Sequence, residues 1–153
     1  MDNTVLVIGI GNEDRGDDGV GLVAIRALEE QGLQEVICKQ STGDGMALMD
    51  LWEGFNNVIL IDAMLSGGTP GAICRFDANK EAIPARLSSH STHAFGVADA
   101  IELAKTLYEL PTSLIVYAIE GKDFPAGVGL TPEVEHAASV VVRLVTREVQ
   151  RSR

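Results

Sequence analysis

The sequence predicts an α/β protein, a three-layer α/β/α sandwich built on a mostly parallel, five-stranded sheet. Two patterns support this fold class. Short apolar runs of strand length alternate along the chain with stretches whose apolar residues recur at helical spacing. Several of the strand runs are apolar throughout, which is typical of strands covered on both faces. Strands that alternate with helices form a parallel sheet with a helical layer on either side.

In the first half of the chain, strand Val5–Ile10 leads through a glycine-rich turn into a helix. Asp17 or Asp18 is expected to cap this helix, and Gly32 to end it. The apolar residues on its helical stripe are Val20, Val23, Ala24, Ala27 and Leu28. The elements that follow are a strand over 35–39, a helix over 45–53, a strand over 58–61 closed by Asp62, and an edge strand over 72–76.

In the second half, a helix over 94–107 is expected to follow a cap at Ser91 or Thr92. A strand over 113–119 comes next. Thr131-Pro132-Glu133 then opens the last helix with a cap, a first-turn proline and an acid that the helix dipole favours. No repeat, low-complexity segment or linker interrupts the chain, so residues 1–153 are expected to form a single domain.

Composition limits the possible partners. The formal net charge is −10, whereas a protein that binds nucleic acid or an anionic membrane needs a basic surface. We therefore expect neither partner. No apolar run reaches the about 18 residues of a membrane span, and the first residues lack the pattern of a secretory signal. Cys38 and Cys74 lie in strand-like runs and are expected to be buried, reduced thiols of a cytoplasmic protein.

Acidic residues and a histidine follow the ends of the predicted strands. In an open parallel sheet, ligands bind outside the carboxyl ends of the strands. The stretches at that edge are 11–18, 40–45, 62–64 and 120–123, and the loop 88–93 can also reach it. We therefore expect the functional site there.

The glycine-rich turn after the first strand does not fit a nucleotide. A dinucleotide fingerprint requires a third glycine at the position of Asp14, and the next glycine, Gly16, comes two positions late. A phosphate-binding loop of the Walker type needs lysine where Asp17 and Asp18 stand. The turn carries four carboxylates, which would repel a pyrophosphate. It suits a cation or acid–base chemistry instead.

Two acids and one histidine are the sharpest candidates at this edge. Asp62 follows an apolar strand, where an isolated carboxylate is costly; a turn aspartate is the alternative. The second acid is Asp18 or its neighbour Asp17, either of which could instead be a helix cap. The histidine is His93, for which a satisfied surface or core histidine is the alternative, and spacing does not exclude His90. Glu120 could face the same cleft or be a paired structural acid, and His136 is expected on a solvated helix face. Such a set could bind nickel or zinc, or perform general acid–base catalysis.

The chain resembles the hydrogenase maturation proteases, the endopeptidases that trim the C-terminus of the [NiFe]-hydrogenase large subunit. The matching stretches are VIGIGNEDRGDDGVG, GDGMALMDLW, VILIDAM, STHAFGVADAI and GVGLTPEV. The resemblance implies that Asp18, Asp62 and His93 are the metal-contacting and catalytic residues of an aspartic-type peptidase. It also implies that the nickel is carried by the large-subunit precursor and marks it for cleavage.

One stretch departs from this family. Many relatives carry Asp-Gly-Gly-Thr after the second strand, whereas residues 40–45 read QSTGDG. A role for the family's acid in that loop is therefore in doubt, although Asp44 could substitute from a shifted position. Two other classes remain as alternatives: a metal-binding or chaperone-like module without peptidase activity, and a nucleotide-dependent enzyme, which the acidic loop disfavours.

Overall fold

The computed structural model describes residues 3–84, 87, 93–124, 126–127 and 129–151. These residues form a five-stranded sheet in the order β2-β1-β3-β5-β4. β1, β2, β3 and β5 run parallel, and β4 pairs antiparallel with β5 at one edge. The strands are β1 Val5–Ile10, β2 Val36–Ser41, β3 Asn57–Met64, β4 Ile73–Asp77 and β5 Ser113–Glu120. The predicted sheet and its edge strand are confirmed.

Four helices cover the two faces of the sheet in the described part of the chain. They are α1 Val20–Gln31, α2 Gly45–Trp52, α3 Val97–Thr106 and α4 Pro132–Arg151. α1 and α4 pack together on one face, and α2 and α3 on the other. The predicted three-layer sandwich is therefore confirmed. No helix in the described ranges is long and apolar enough to cross a membrane.

The sequence of β1 is apolar throughout because both faces of this strand are covered. Val5 and Val7 pack into the core under α1 and α4, whereas Leu6 and Ile8 pack into the core under α2 and α3. Successive side chains of a strand point to opposite faces. Because both faces are covered, both sets must be apolar.

Several predicted boundaries need correction. A short 3₁₀ turn over Gly16–Gly19 precedes α1, so that Gly19 takes the cap position and no side chain caps the helix. Gly32 ends α1 in the left-handed conformation as expected. Val23, expected on the buried stripe, is 38% exposed. β3 does not stop before Asp62 but runs through it to Met64.

The third helix also begins later than expected. α3 starts at Val97 after Gly96, whose N–H donates to the Asp99 carboxylate at 2.9 Å. The expected caps Ser91 and Thr92 lie outside the described residues. Cys38 and Cys74 are free thiols, as predicted, but each is only half-buried.

Candidate functional site

Helix α1 begins in direct contact with the main chain of the sheet. A Cβ atom on Gly21 would lie 2.4 Å from the carbonyl oxygens of both Ile10 and Ile61, and one on Gly9 would lie 2.3 Å from the carbonyl oxygen of Gly21. Only glycine permits so close an approach of two backbones. As a result, the turn before α1 contacts β3, and Asp18 in this turn is near enough for its charge to act on Asp62.

The glycine-rich turn holds the Asp18 side chain in place. Gly11 has φ +150°, and a Cβ there would lie 1.9 Å from the carbonyl oxygen of Asp18. The N–H of Asn12 donates to Oδ2 of Asp18 at 3.0 Å. Asp18 is 9% exposed, so one side of its carboxylate is bound to the turn and the residue is nearly enclosed.

Asp62 lies within the sheet rather than beyond it. It is 3% exposed, and Oδ1 accepts the N–H of Ala63 at 2.8 Å. Burial raises the pKa of Asp62 well above its ordinary value, and the neighbouring charge of Asp18 raises it further. The negative charge of Asp18 therefore opposes the ionisation of Asp62. A cation placed between them would reverse this effect.

His93 reaches the same edge of the sheet from the segment before α3. A Cβ on Gly43 would lie 3.9 Å from Cδ2 of His93 and 3.3 Å from Cγ2 of Ile10. The segment is held there because the N–H of Gly45 donates to the carbonyl of Phe95 at 2.8 Å. The half-buried His93 thus lies near the point where β1 ends. The alternative histidine, His90, lies outside the described residues.

The described part of the chain contains no group of three or more His, Cys, Asp or Glu side chains arranged to hold a metal ion. Asp18, Asp62 and His93 approach one edge of the sheet, but they do not form a closed three-ligand cluster in this structure. Their assignment as metal-contacting residues stays a prediction.

Asp17 does not cap a helix. Its side chain is fully buried, and it accepts hydrogen bonds from the N–H groups of Lys122, Asp123 and Thr131 at 2.8, 3.0 and 2.8 Å. The hydroxyl of Thr131 donates to it as well. Burial alone would raise the pKa of Asp17, but these hydrogen bonds outweigh it and hold the pKa below its ordinary value. Asp17 therefore ties the segment between β5 and α4 to the turn that carries Asp18.

Glu120, another acid at this edge of the sheet, is paired with Ser66. Glu120 is 1% exposed and accepts the N–H of Ser66 at 2.8 Å as well as its hydroxyl. It holds the connection after β3 and corresponds to the paired structural acid considered from the sequence. Asp44 precedes α2 without making a side-chain cap bond. His136 is exposed on α4, as predicted.

Comparison with known proteins points to one family. A model of the hydrogenase maturation protease family matches residues 27–148, a range that contains Asp62 and His93 but begins after Asp18. The hydrogenase 2 maturation protease of Escherichia coli strain K12 is 27% identical over 135 residues, which cover 86% of this chain and 81% of that protein. A putative hydrogenase maturation protease of Methanocaldococcus jannaschii is 28% identical over 153 residues, with coverage of 96% and 97%.

The solved structures agree as well. The hydrogenase maturating endopeptidase HybD from Escherichia coli superposes with a TM-score of 0.82 at 25% sequence identity. The match covers 97% of this chain and 93% of that chain. Both the sheet and the helices on its two faces are therefore shared.

Proposed function

The chain belongs to the hydrogenase maturation protease family, and from this premise we propose that it removes the C-terminal extension of a [NiFe]-hydrogenase large-subunit precursor after nickel insertion. The family makes the chain a peptidase that processes hydrogenase. The proposal adds the cleavage site, the timing and the role of the metal. In this proposal nickel belongs to the substrate and is not a resident cofactor.

The observation that carries the proposal is the pair of buried carboxylates at the carboxyl edge of the sheet. Asp62 is buried, and its burial together with the neighbouring charge of Asp18 raises its pKa. Such a pair attracts a cation, because a cation favours the charged form of Asp62 and offsets the repulsion between the two side chains. Nickel accepts carboxylate and imidazole ligands. Asp18, Asp62 and His93 are the residues that we assign to nickel contact.

The same residues are assigned to catalysis as an aspartic-type site. Hydrolysis of the peptide bond consumes one water, which adds a hydroxyl to the carbonyl carbon and a proton to the leaving nitrogen. A carboxyl group with a raised pKa holds a proton more readily than an ordinary carboxylate and is a candidate for general acid–base catalysis. We therefore assign proton transfer to Asp62 rather than to Asp17, whose carboxylate already accepts three backbone hydrogen bonds.

The test is cleavage of a nickel-loaded large-subunit precursor, followed by its change in mobility on a gel. We expect the precursor to shorten with the wild-type protein and to stay intact with Asp62→Asn. A matched control is Asp14→Asn, since Asp14 is an exposed acid of the same turn. Binding without shortening would favour a chaperone-like module instead. The cytoplasmic location expected from the sequence stays a prediction, which cell fractionation would check.

Nickel dependence is tested separately. The nickel-loaded and nickel-free precursors are offered at equal concentration, and both binding and cleavage are measured. We expect the nickel-free precursor to bind weakly and to remain uncut. Equal treatment of the two precursors would reject recognition of nickel but would leave the peptidase assignment in place.

A further inference from the structure

Strand β2 forms an open edge of the sheet. Among the residues that the structure describes, it pairs with β1 alone. The carbonyls of Glu35 and Ser41 accept the N–H groups of Val5 and Gly11 on the β1 side. Because backbone groups alternate in direction along a strand, the N–H and C=O groups of Val36, Cys38 and Gln40 point away from the sheet.

Two small cavities lie along this edge, both on the side of α1. The upper cavity measures about 170 Å³ and is lined by Gly11, Leu22, Gln40, Ser41 and Thr42. The lower cavity measures about 230 Å³ and is lined by Leu28, Glu29, Gly32, Leu33, Val36 and Cys38. Gln40 in the upper cavity and Val36 in the lower one are about 13 Å apart along the strand, at about 3.3 Å per residue.

The edge of β2 leads directly to the candidate site. Gly11, which lines the upper cavity, is in close contact with the carbonyl of Asp18. Gly43, which follows β2 by two residues, lies beside His93. A chain that runs along β2 towards its carboxyl end therefore arrives at the acids and the histidine.

We propose that an extended segment of the hydrogenase precursor binds along the outer edge of β2 as an additional strand, with the bond to be cut at the carboxyl end of β2. This inference rests on the function proposed above and specifies how the substrate is held. In strand addition, main-chain hydrogen bonds supply affinity, and pockets for alternate side chains supply specificity. The outward N–H and C=O groups of Val36, Cys38 and Gln40 provide the main-chain hydrogen bonds, and the two cavities provide the side-chain pockets.

The lower cavity indicates which side chain it takes. Its walls include the apolar side chains of Leu28, Leu33 and Val36, and its rim carries the exposed carboxylate of Glu29. Lysine and arginine pack an apolar stem against such a wall and keep a charged head at the rim. The strand that we propose thus places a lysine or arginine of the precursor beside Glu29. The net charge of −10 favours the approach of such a segment.

A second copy of the chain is the competing occupant of an open edge. Lys39 lies exposed in the middle of β2, and lysine on an edge strand hinders pairing between copies. We therefore favour the precursor. The oligomeric state distinguishes the two, because a second copy would make the protein dimerise through β2.

The test compares steady-state cleavage of the nickel-loaded precursor by two matched pairs of variants. Glu29→Lys and Glu30→Lys make the same charge change on neighbouring exposed residues of α1, but only Glu29 lines the cavity. We expect Glu29→Lys to raise KM about tenfold with kcat within about twofold, and Glu30→Lys to change neither by more than about twofold. A loss of long-range charge attraction would instead affect both variants alike.

The second pair removes one outward N–H group from each edge of the sheet. Gln40→Pro acts on β2, and Ile73→Pro acts at the first residue of β4. The carbonyl of Ala72 accepts the N–H of Glu120 on β5, and the N–H of Ala78 donates to the carbonyl of Leu114. Because backbone groups alternate in direction along a strand, the N–H of residue 73 points away from β5. Proline is tolerated at such edge positions, and thermal melts confirm the folded fraction. We expect Gln40→Pro alone to raise KM, again about tenfold.

The outcomes separate the two proposals. If the wild-type protein cuts the precursor while Glu29→Lys and Gln40→Pro leave KM unchanged, strand addition at β2 is rejected and the proposed function stands. If the wild-type protein does not cut it, the proposed function fails and the inference that rests on it fails too. A wild-type dimer in sedimentation that Gln40→Pro dissociates assigns the edge to a second copy and overturns the inference.

Discussion

Replacement of Asp17 by asparagine removes a charged acceptor from the centre of a buried hydrogen-bond cluster. Three backbone N–H groups and the Thr131 hydroxyl converge on this carboxylate. Asparagine keeps one oxygen but turns an NH₂ group towards donors. Leaving a buried donor unsatisfied costs about 1–3 kcal/mol. With Lys122 and Asp123 themselves exposed, water can compensate in part, so we expect a loss of about 3 kcal/mol from the free energy of unfolding.

The assay is a thermal melt at neutral pH with Asp14→Asn as the control. A loss of about 3 kcal/mol corresponds to a fall in Tm of about 6–12 °C for a domain of this size, and the exposed control should stay within about 0.5 kcal/mol of the wild type. Because the folded pKa of Asp17 is lowered, its stabilising effect is present above the unfolded pKa and is lost as pH falls through the folded value. The difference between the variant and the wild type should therefore shrink in acid. An Asp17→Asn protein that melts within about 1 °C of the wild type at neutral pH would refute the reasoning, since it would leave less than about 0.5 kcal/mol for the whole cluster.

Three further predictions test the site. Asp62→Asn should abolish cleavage and yet melt at or above the wild-type temperature. The raised folded pKa of Asp62 means that the stability of the wild type falls as pH rises through that value, and asparagine escapes this loss. A variant Tm below that of the wild type, with a difference that grows as pH rises, would contradict this reasoning. Asp18→Asn should abolish cleavage and lower the pKa of Asp62, which NMR titration of the Asp62 carboxyl measures; an unchanged pKa would mean that the two charges do not interact. His93→Ala, but not His90→Ala, should weaken pull-down of the nickel-loaded precursor, because imidazole is a nickel ligand and alanine is not. An equal loss in both variants would reject the choice of His93.

The sheet could be predicted because its signal is local and strong. The bounds of β1 follow from the run VLVIGI, which lies between Thr4 and the glycine-rich turn that begins at Gly11. The end of β3 could not be predicted from the sequence, because a buried aspartate interrupts the apolar run while the backbone continues to pair. Asp62, Ala63 and Met64 are held in the strand by their β5 partners, up to the pair Met64 and Glu120. Such pairing depends on a segment far away in the chain, and no pattern around Asp62 reveals it.

The location of the candidate site was predictable, but the division of labour within it was not. The carboxyl edge follows from topology alone, so Asp62 and His93 could be expected there. Asp17 and Asp18 are adjacent acids that sequence patterns do not distinguish. The partners of Asp17 lie 105 to 114 residues further along the chain, and only the folded structure shows that Asp17 points to them. The prediction that Val23 on α1 is buried was wrong, because helical spacing does not fix the limits of the buried stripe.

The contact between α1 and the strands at Gly9 and Gly21 positions the start of α1, and with it the turn that carries Asp18, against the sheet through main-chain atoms alone. Main-chain atoms have no rotamers, so we expect exchanges among the apolar core residues to leave this contact in place. A single added methyl group at Gly21 would act as a wedge against two strands at once, and it would pull the acids apart without touching either of them.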